Sequence, residues 1–174
     1  MSDGGLTSGV DDAEAGGGPE PLDGTGRVRT DAAARGLEVE IVARPAADSL
    51  EAAATSLGLQ PSDIVKSLVV KRHDGSFLFA LVPGDRQISW ARLRAVVGVN
   101  KLSMPSAEVA LEATGYERGT ITPLGSSTAW PVVADSRIVG RRVALGAGAH
   151  GFSAFVEADA LIAGYDATVG DISD

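Results

Sequence analysis

The sequence predicts a single α+β domain in which a mixed, partly curled β-sheet carries helices around it. Two observations carry this prediction: strand-like and helix-like segments both occur without an internal repeat, and no βαβ alternation is long enough for a doubly wound sheet. A third is the length of 174 residues, which suits one ordinary domain plus a tail.

The first 26 residues differ in composition from the rest of the chain. They contain six acidic residues, no Lys or Arg, and almost no large apolar side chains. Such a segment cannot bury enough apolar surface to offset its chain entropy. We therefore predict a disordered, acidic, Gly-rich tail over residues 1–26 and a folded domain over residues 27–174.

The domain is predicted to begin with a short helix over 27–36 and a strand over Leu37–Ala43, in which apolar residues alternate. Asp48 followed by Glu51 indicates the start of the next helix, which ends at Gly58. The predicted secondary structure then continues through two strands that lie next to each other in the sequence.

These two strands are the apolar runs IVKSLVVK and SFLFALV, and Asp74-Gly75 between them is a strong hairpin signal that predicts antiparallel neighbours. Ser89 and Ser106 are predicted to cap two further helices, WARLRAVVG and AEVALEATG. A Gly-, Thr- and Pro-rich loop, YERGTITPLGSS, precedes the predicted strands WPVVA, RRVALG and FSAFV and a last helix, EADALIAGY.

Charge and composition restrict the classes of function. The formal net charge is -8, yet the stretch from Ile64 to Lys101 holds seven basic residues against two acidic ones, which indicates either a solvated surface or a face toward phosphate. The absence of cysteine excludes disulfides, thiolate metal sites and cysteine nucleophiles. Because neither a membrane-spanning apolar run nor a signal peptide is found, we predict a cytoplasmic protein without a membrane partner.

Lys66 interrupts the apolar run IVKSLVV, which is otherwise typical of a sheet interior. A lysine there must either extend its ammonium to water or serve an anion, and the run alone favours a strand-edge lysine in solvent.

Other features of the sequence are candidates for chemistry. GAGAHG, residues 146–151, has the letters of a dinucleotide fingerprint, but the strand-like FSAFV follows where a helix is required, so a tight turn between strands is predicted. A triad of Ser127, His150 and Asp135 lacks a nucleophile-elbow motif and is interpreted as coincidence, and the two histidines lack metal-ligand spacing. Asp135, at a strand end, is a candidate for orienting a substrate. N–H groups in the loop Gly119–Gly125 are candidates for holding an oxyanion.

Five segments in order, IVKSLVVK, ALVPGDRQISWARLRAVVG, ATGYERGTITPLG, PVVADS and VALGAGAHGF, resemble the YbaK/EbsC-type aminoacyl-tRNA deacylases, relatives of the editing domain of bacterial prolyl-tRNA synthetases. The resemblance covers about Leu37 to Ile172. It implies an α+β domain with a mixed, barrel-like sheet. It also implies a trans-acting hydrolase without a cofactor, which acts on the acceptor end of mischarged tRNA, with an aminoacyl-tRNA synthetase as a further candidate partner.

The resemblance also implies site residues. Lys66 matches the functional lysine of the family and is expected to hold the 3′-terminal nucleotide, and Gly119 begins the loop expected to polarise the ester carbonyl. These two are the predicted catalytic residues. The predicted substrate-binding residues are Thr120, Ile121, Thr122, Pro123, Gly146, Ala147 and Gly148, together with Asp135.

Two alternatives stay open at this point. Gly146 stands where some family members place a serine, and Ala149-His150 where they have basic residues, so a noncatalytic tRNA-binding or regulatory module with the same fold is one alternative. A nucleotide-dependent oxidoreductase is the other, and it depends on the GxGxxG letters alone. The amino acid, the tRNA and the oligomeric state are not defined by the sequence.

Overall fold

The computed structural model describes residues 23–45 and 49–174. Its first element is helix α1, Gly24–Ala34, whose N-cap Asp23 accepts a hydrogen bond from the Gly26 N–H at 2.7 Å. The helix thus begins three residues before the predicted start at residue 27, so the last part of the predicted tail belongs to the folded domain. Residues 1–22 lie outside the described residues.

The remaining elements confirm the predicted mixture of short helices and strands. They are β1 (Glu40–Ala43), α2 (Leu50–Leu57), β2 (Val65–Arg72), β3 (Phe77–Pro83), α3 (Trp90–Val97), β4 (Leu102–Ser103), α4 (Ala107–Thr114), β5 (Val132–Asp135), β6 (Arg142–Gly146), β7 (Phe152–Glu157), α5 (Ala158–Gly164) and β8 (Thr168–Gly170).

Local signals in the sequence set the ends of the helices. Ser89 and Ser106 accept capping bonds at the starts of α3 and α4, as predicted. Gly58 ends α2 in the left-handed conformation, also as predicted. The predicted cap Asp48 lies outside the described residues, and its neighbour Ser49 accepts the capping bond of α2.

The strands form two sheets. A mixed sheet has the order β4-β2-β3-β5-β8, and an antiparallel sheet has the order β1-β7-β6. Strands β2 and β3 form the predicted antiparallel hairpin, with Val65 opposite Pro83 and Lys71 opposite Phe77. Among the described residues the two sheets meet at a bridge between Ile64 and Ala144 and do not close completely, so the mixed sheet is curled and barrel-like only in outline.

Alternation along β2 and β3 divides the core into two clusters, because successive strand residues point to opposite faces. Val65, Val69, Phe79 and Leu81 pack between the two sheets with Val143, Leu145 and Val156. Val70, Leu78, Ala80 and Val82 pack on the opposite face with Leu93 and Ile172. Lys66 lies opposite Val82 and therefore on this second face, at the start of β2.

Candidate active site

A cavity of about 450 Å³ lies along the first half of β2. Within the described residues β4 pairs only with Lys71 and Arg72, in the second half of β2. The edge of the first half is therefore not covered by β4, and residues 64–69 all line the cavity. The other walls come from β6, from the start of α4 and from the loop that contains Gly119 and Ile121. The lining is mainly apolar, and its basic residues are Arg44, Lys66 and Arg118.

Lys66 is half-buried in the wall of this cavity. Its Nζ donates a hydrogen bond to the carbonyl oxygen of Arg86, in the turn after β3. Burial lowers the pKa of Lys66 because it penalises the ammonium, and the nearby carboxylate of Asp85 partly opposes this effect. The ammonium is therefore held by a backbone carbonyl rather than extended freely into solvent, which is the arrangement that the apolar run alone favours.

The turn that holds Lys66 is itself held by the end of the chain. Arg86 Nε donates to the Ser173 hydroxyl at 2.9 Å, and that hydroxyl donates to Asp135 Oδ2 at 2.7 Å. Asp135 is fully buried and forms a salt bridge of 3.2 Å with Arg137. Asp135 lies outside the lining of this cavity, and its carboxylate is held by hydrogen bonds from the end of the chain.

Replacing Ser173 by alanine should lower the free energy of unfolding by about 1–3 kcal/mol, because the substitution leaves a buried carboxylate oxygen short of a donor. Urea denaturation of the purified variant measures this change. Ser136→Ala is the matched control, since Ser136 is exposed one residue after Asp135. Equal stability of the two variants would contradict the role assigned to the Ser173 hydroxyl.

The predicted oxyanion loop uses some of its N–H groups internally. The Thr120 N–H donates to Glu117 O at 2.9 Å, and the Gly125 N–H donates to Asp31 Oδ2 at 2.9 Å. Within the described residues the N–H groups of Gly119 and Ile121 have no partner, and both residues line the cavity. Gly119 has a φ of 92°, which favours glycine. The candidate donors are thereby narrowed to Gly119 and Ile121.

The other predicted loop residues face inward. Thr120 and Thr122 are buried, and the Thr120 hydroxyl donates to Glu117 O at 2.8 Å while Thr122 Oγ1 accepts from the Leu124 N–H at 3.2 Å. Pro123 is buried as well. These three residues shape the loop, whereas its cavity-facing positions are Gly119 and Ile121.

The glycine-rich stretch 146–151 forms the predicted turn between two strands. Strands β6 and β7 flank it as antiparallel neighbours, so it lacks the helix that a dinucleotide fingerprint requires. At Gly146 an added Cβ would overlap the carbonyl oxygen of Ile121, and the Gly148 N–H donates to Thr120 O at 2.9 Å. The close backbone approach that these glycines allow is therefore an approach to the loop. Gly146 lines the cavity, whereas Ala147 is fully buried.

The remaining candidates for chemistry are separate from each other. The Ser127 hydroxyl donates to Ala113 O at 3.3 Å, and in the described part of the chain no hydrogen bond joins Ser127, His150 and Asp135. No cluster of three or more His, Asp or Glu side chains suited to a metal ion occurs there either. None of the helices in residues 23–45 and 49–174 is long and apolar enough to cross a membrane.

Five polar residues of the cavity were missed by sequence reasoning, and one of them, Ser106, is predicted only as a helix cap. Arg118 directly precedes Gly119, and Ser67 directly follows Lys66, so proximity to the motifs was an available signal for both. The Ser67 hydroxyl is buried and lacks a hydrogen-bond partner among the described residues. Arg44 and Ser153 join the cavity through the sheet that contains β1 and β7, and no local pattern marks them.

The cavity combines a mainly apolar lining with a few polar groups, among them Lys66 and the loop residues Gly119 and Ile121, which is typical of ligand-binding sites. Residues 44–163 match the aminoacyl-tRNA editing domain family, and the chain belongs to this family. The match confirms the resemblance seen in the five ordered segments.

The chain is also similar in sequence to part of several proline–tRNA ligases. The chain is 41% identical over 88 residues to a proline–tRNA ligase of Thermosipho africanus, a match that covers 51% of this chain and 16% of that protein. It is 32% identical over 98 residues to a proline–tRNA ligase of Bacillus licheniformis, covering 56% of this chain and 17% of that protein. The matches thus span about a sixth of each of these ligases.

Among solved structures, the chain is similar to one described as a candidate trans-editing enzyme for prolyl-tRNA synthetase. The TM-score is 0.78 at 27% identity, and the match covers 89% of this chain and 99% of that one. The two-sheet architecture is therefore shared over nearly the whole length of that protein.

Proposed function

We propose that the protein is a trans-acting aminoacyl-tRNA deacylase, which hydrolyses the ester between an amino acid and the terminal ribose of mischarged tRNA. One observation carries the proposal: Lys66, Gly119 and Ile121 line the same cavity, in a chain of the editing-domain family. The similarity to a free-standing candidate trans-editing enzyme supports action on tRNA released from a synthetase.

The proposed reaction needs no protein nucleophile, because an aminoacyl ester is already activated. Water attacks the carbonyl carbon, the bond from that carbon to the ribose oxygen breaks, and the ribose oxygen takes up a proton. The N–H groups of Gly119 and Ile121 stabilise the negative charge that develops on the carbonyl oxygen. Holding ester and water together in a mainly apolar cavity supplies the remaining acceleration.

The basic residues of the cavity suit the acceptor end of tRNA. Lys66 provides a compact cation with three donors, and its ammonium can exchange the Arg86 carbonyl for a phosphate or ribose oxygen. Arg44 and Arg118 add two guanidinium groups, which bind phosphate through paired donors. The cavity therefore offers separate groups to the nucleotide and to the ester.

The decisive experiment is a deacylation panel. Purified protein is incubated with tRNAs that carry alanyl, cysteinyl, seryl or prolyl esters, and release of the amino acid is measured against spontaneous hydrolysis. We expect acceleration of at least one ester. Binding of tRNA without acceleration of any ester would instead support the noncatalytic module with the same fold.

Binding of tRNA should weaken as salt concentration rises, because basic residues at the cavity displace counterions from the phosphates. We expect Arg118→Gln to reduce the slope of log affinity against log salt by about one. Arg142→Gln is the charge-matched control, since Arg142 is an exposed arginine outside the cavity lining. An affinity independent of salt would contradict an electrostatic contact with tRNA.

A further inference from the structure

Helix α1 contacts the loop that contains the candidate oxyanion donors, although it precedes residues 44–163 that match the family. Two of its side chains, one helical turn apart, hold the peptide groups of Gly125. Asp31 Oδ2 accepts from the Gly125 N–H at 2.9 Å, and Arg27 donates to the Gly125 carbonyl through Nη2 at 2.7 Å and Nε at 3.1 Å. Both polar groups of this glycine are therefore fixed by α1.

Arg27 also joins the loop to the end of α4. Its guanidinium donates to Thr114 O at 3.1 Å and to Gly115 O at 3.3 Å, at the C-terminal end of the helix, where the helix dipole favours a cation. It lies 4.5 Å from the centre of the Tyr116 ring, and the Tyr116 hydroxyl donates to the carbonyl oxygen of Leu124 at 2.7 Å. One side chain thus connects three segments around the cavity.

Asp31 is held in place on its other sides. Arg35 Nε donates to Asp31 Oδ1 at 3.0 Å, and the Tyr165 hydroxyl donates to Oδ2. Burial alone would raise the pKa of Asp31, but the hydrogen bonds from Gly125, Tyr165 and Arg35 outweigh it and lower the pKa. The carboxylate is therefore ionised at neutral pH and matched to the donors that surround it.

The start of α1 also contacts the glycine-rich turn 146–151, which lies between β6 and β7. An added Cβ at Gly24 would overlap the backbone of Gly148, whose N–H donates to Thr120 O. The segment Gly119–Ile121 is therefore anchored at its middle residue by the Gly148 N–H, and it is followed by Gly125, which α1 holds.

We propose that Arg27 and Asp31 are positioning residues, through which α1 fixes the Gly119–Ile121 backbone where its N–H groups can meet a developing oxyanion. Donors of this kind are effective only when they are held in place before the reaction. A misplacement of about 1 Å can cost a large part of the rate. The kinetic part of this inference rests on the proposed deacylase function, whereas the effect on the loop does not.

The test compares Asp31→Ala with Asp31→Asn, which keeps an acceptor oxygen for the Gly125 N–H. For Asp31→Ala we expect kcat to fall about tenfold with KM changed less than about twofold, since the donors act mainly in the transition state. Asp31→Asn should recover much of the loss. Arg27→Lys keeps the positive charge but loses the planar set of guanidinium donors. Its kcat should therefore lie between those of wild type and Asp31→Ala. Arg29→Gln, an exposed arginine of the same helix, is the control.

Hydrogen exchange followed by mass spectrometry gives the second readout, without tRNA. In Asp31→Ala the amides of residues 117–127 should exchange faster while those of β2 and β3 keep their wild-type rates. Unchanged exchange in the loop, a uniform rise over the whole chain, or an unaltered kcat would each overturn the inference. If Asp31→Ala fails to fold, kcat and loop hydrogen exchange are measured on Asp31→Asn and Arg27→Lys instead, and wild-type values of both in these variants would overturn the inference. If wild type hydrolyses no ester, the proposed function fails, and loop exchange still decides whether α1 fixes the loop.

Discussion

Alanine in place of Lys66 should reduce kcat/KM for deacylation by roughly 10- to 100-fold, because a hydrogen bond to a charged group contributes about 1.5–3 kcal/mol. The loss should appear mainly as a raised KM, with kcat little changed, if the ammonium holds the terminal nucleotide equally in the ground and the transition state. Steady-state kinetics on the ester that wild type hydrolyses fastest measure both constants.

Lys71→Ala is the matched control for this substitution. Lys71 lies on the same strand, is exposed, and pairs with Ser103 and Phe77 outside the cavity lining. Its replacement should leave both constants near wild type. Equal rates for the Lys66 and Lys71 variants would remove Lys66 from the proposed mechanism.

Replacing Gly146 by alanine should have the second large effect. The new Cβ would overlap the Ile121 carbonyl oxygen and lie 2.9 Å from that of Thr120, so the loop must shift away from β6. Crowding of this kind costs about 1–3 kcal/mol of stability. A loop shift of about 1 Å is expected to lower kcat by up to 100-fold. Thermal unfolding and deacylation kinetics on the same preparation separate the two effects.

Gly151→Ala is the control in the same turn. Gly151 has a φ of 84°, so alanine there is strained by about 1–2 kcal/mol, but no atom lies within 4 Å of the added Cβ. This variant should lose stability while its kcat stays near wild type. A kcat for Gly146→Ala as high as that for Gly151→Ala would contradict the close packing of the turn against the loop.

Much of the fold could be predicted because its signals are local. Asp74 and Gly75 form the hairpin turn in which Asp74 Oδ1 accepts from the Ser76 N–H at 2.9 Å, and Ser89 and Ser106 cap helices through bonds that span three residues. Closure of the sheet was not predictable in the same way. It depends on how β1, β7 and β6 pack against β2, and the alternation of each strand is the same in an open and a closed arrangement.

The candidate site was predictable in part. The ordered motifs predicted that Lys66, Gly119 and Gly146 lie together, and the structure brings all three to one cavity. An acid at the end of a strand, such as Asp135, is compatible with both a substrate site and a scaffold, so the sequence alone does not distinguish the two roles. Its burial and its bonds to Arg137 and Ser173 become visible only when the end of the chain is in place.

The sequence by itself determined the family, the caps and the hairpin, because these depend on residue types at fixed spacings along the chain. Tertiary structure alone decided which polar groups form hydrogen bonds within the protein and which remain available to a ligand. The Gly125 N–H donates a hydrogen bond to a carboxylate 94 residues away, and the Lys66 ammonium donates one to a carbonyl 20 residues away. A hydrogen bond between such distant segments depends on the packing of whole elements, and that packing leaves the N–H groups of Gly119 and Ile121, two lining residues of the cavity, without a partner among the described residues.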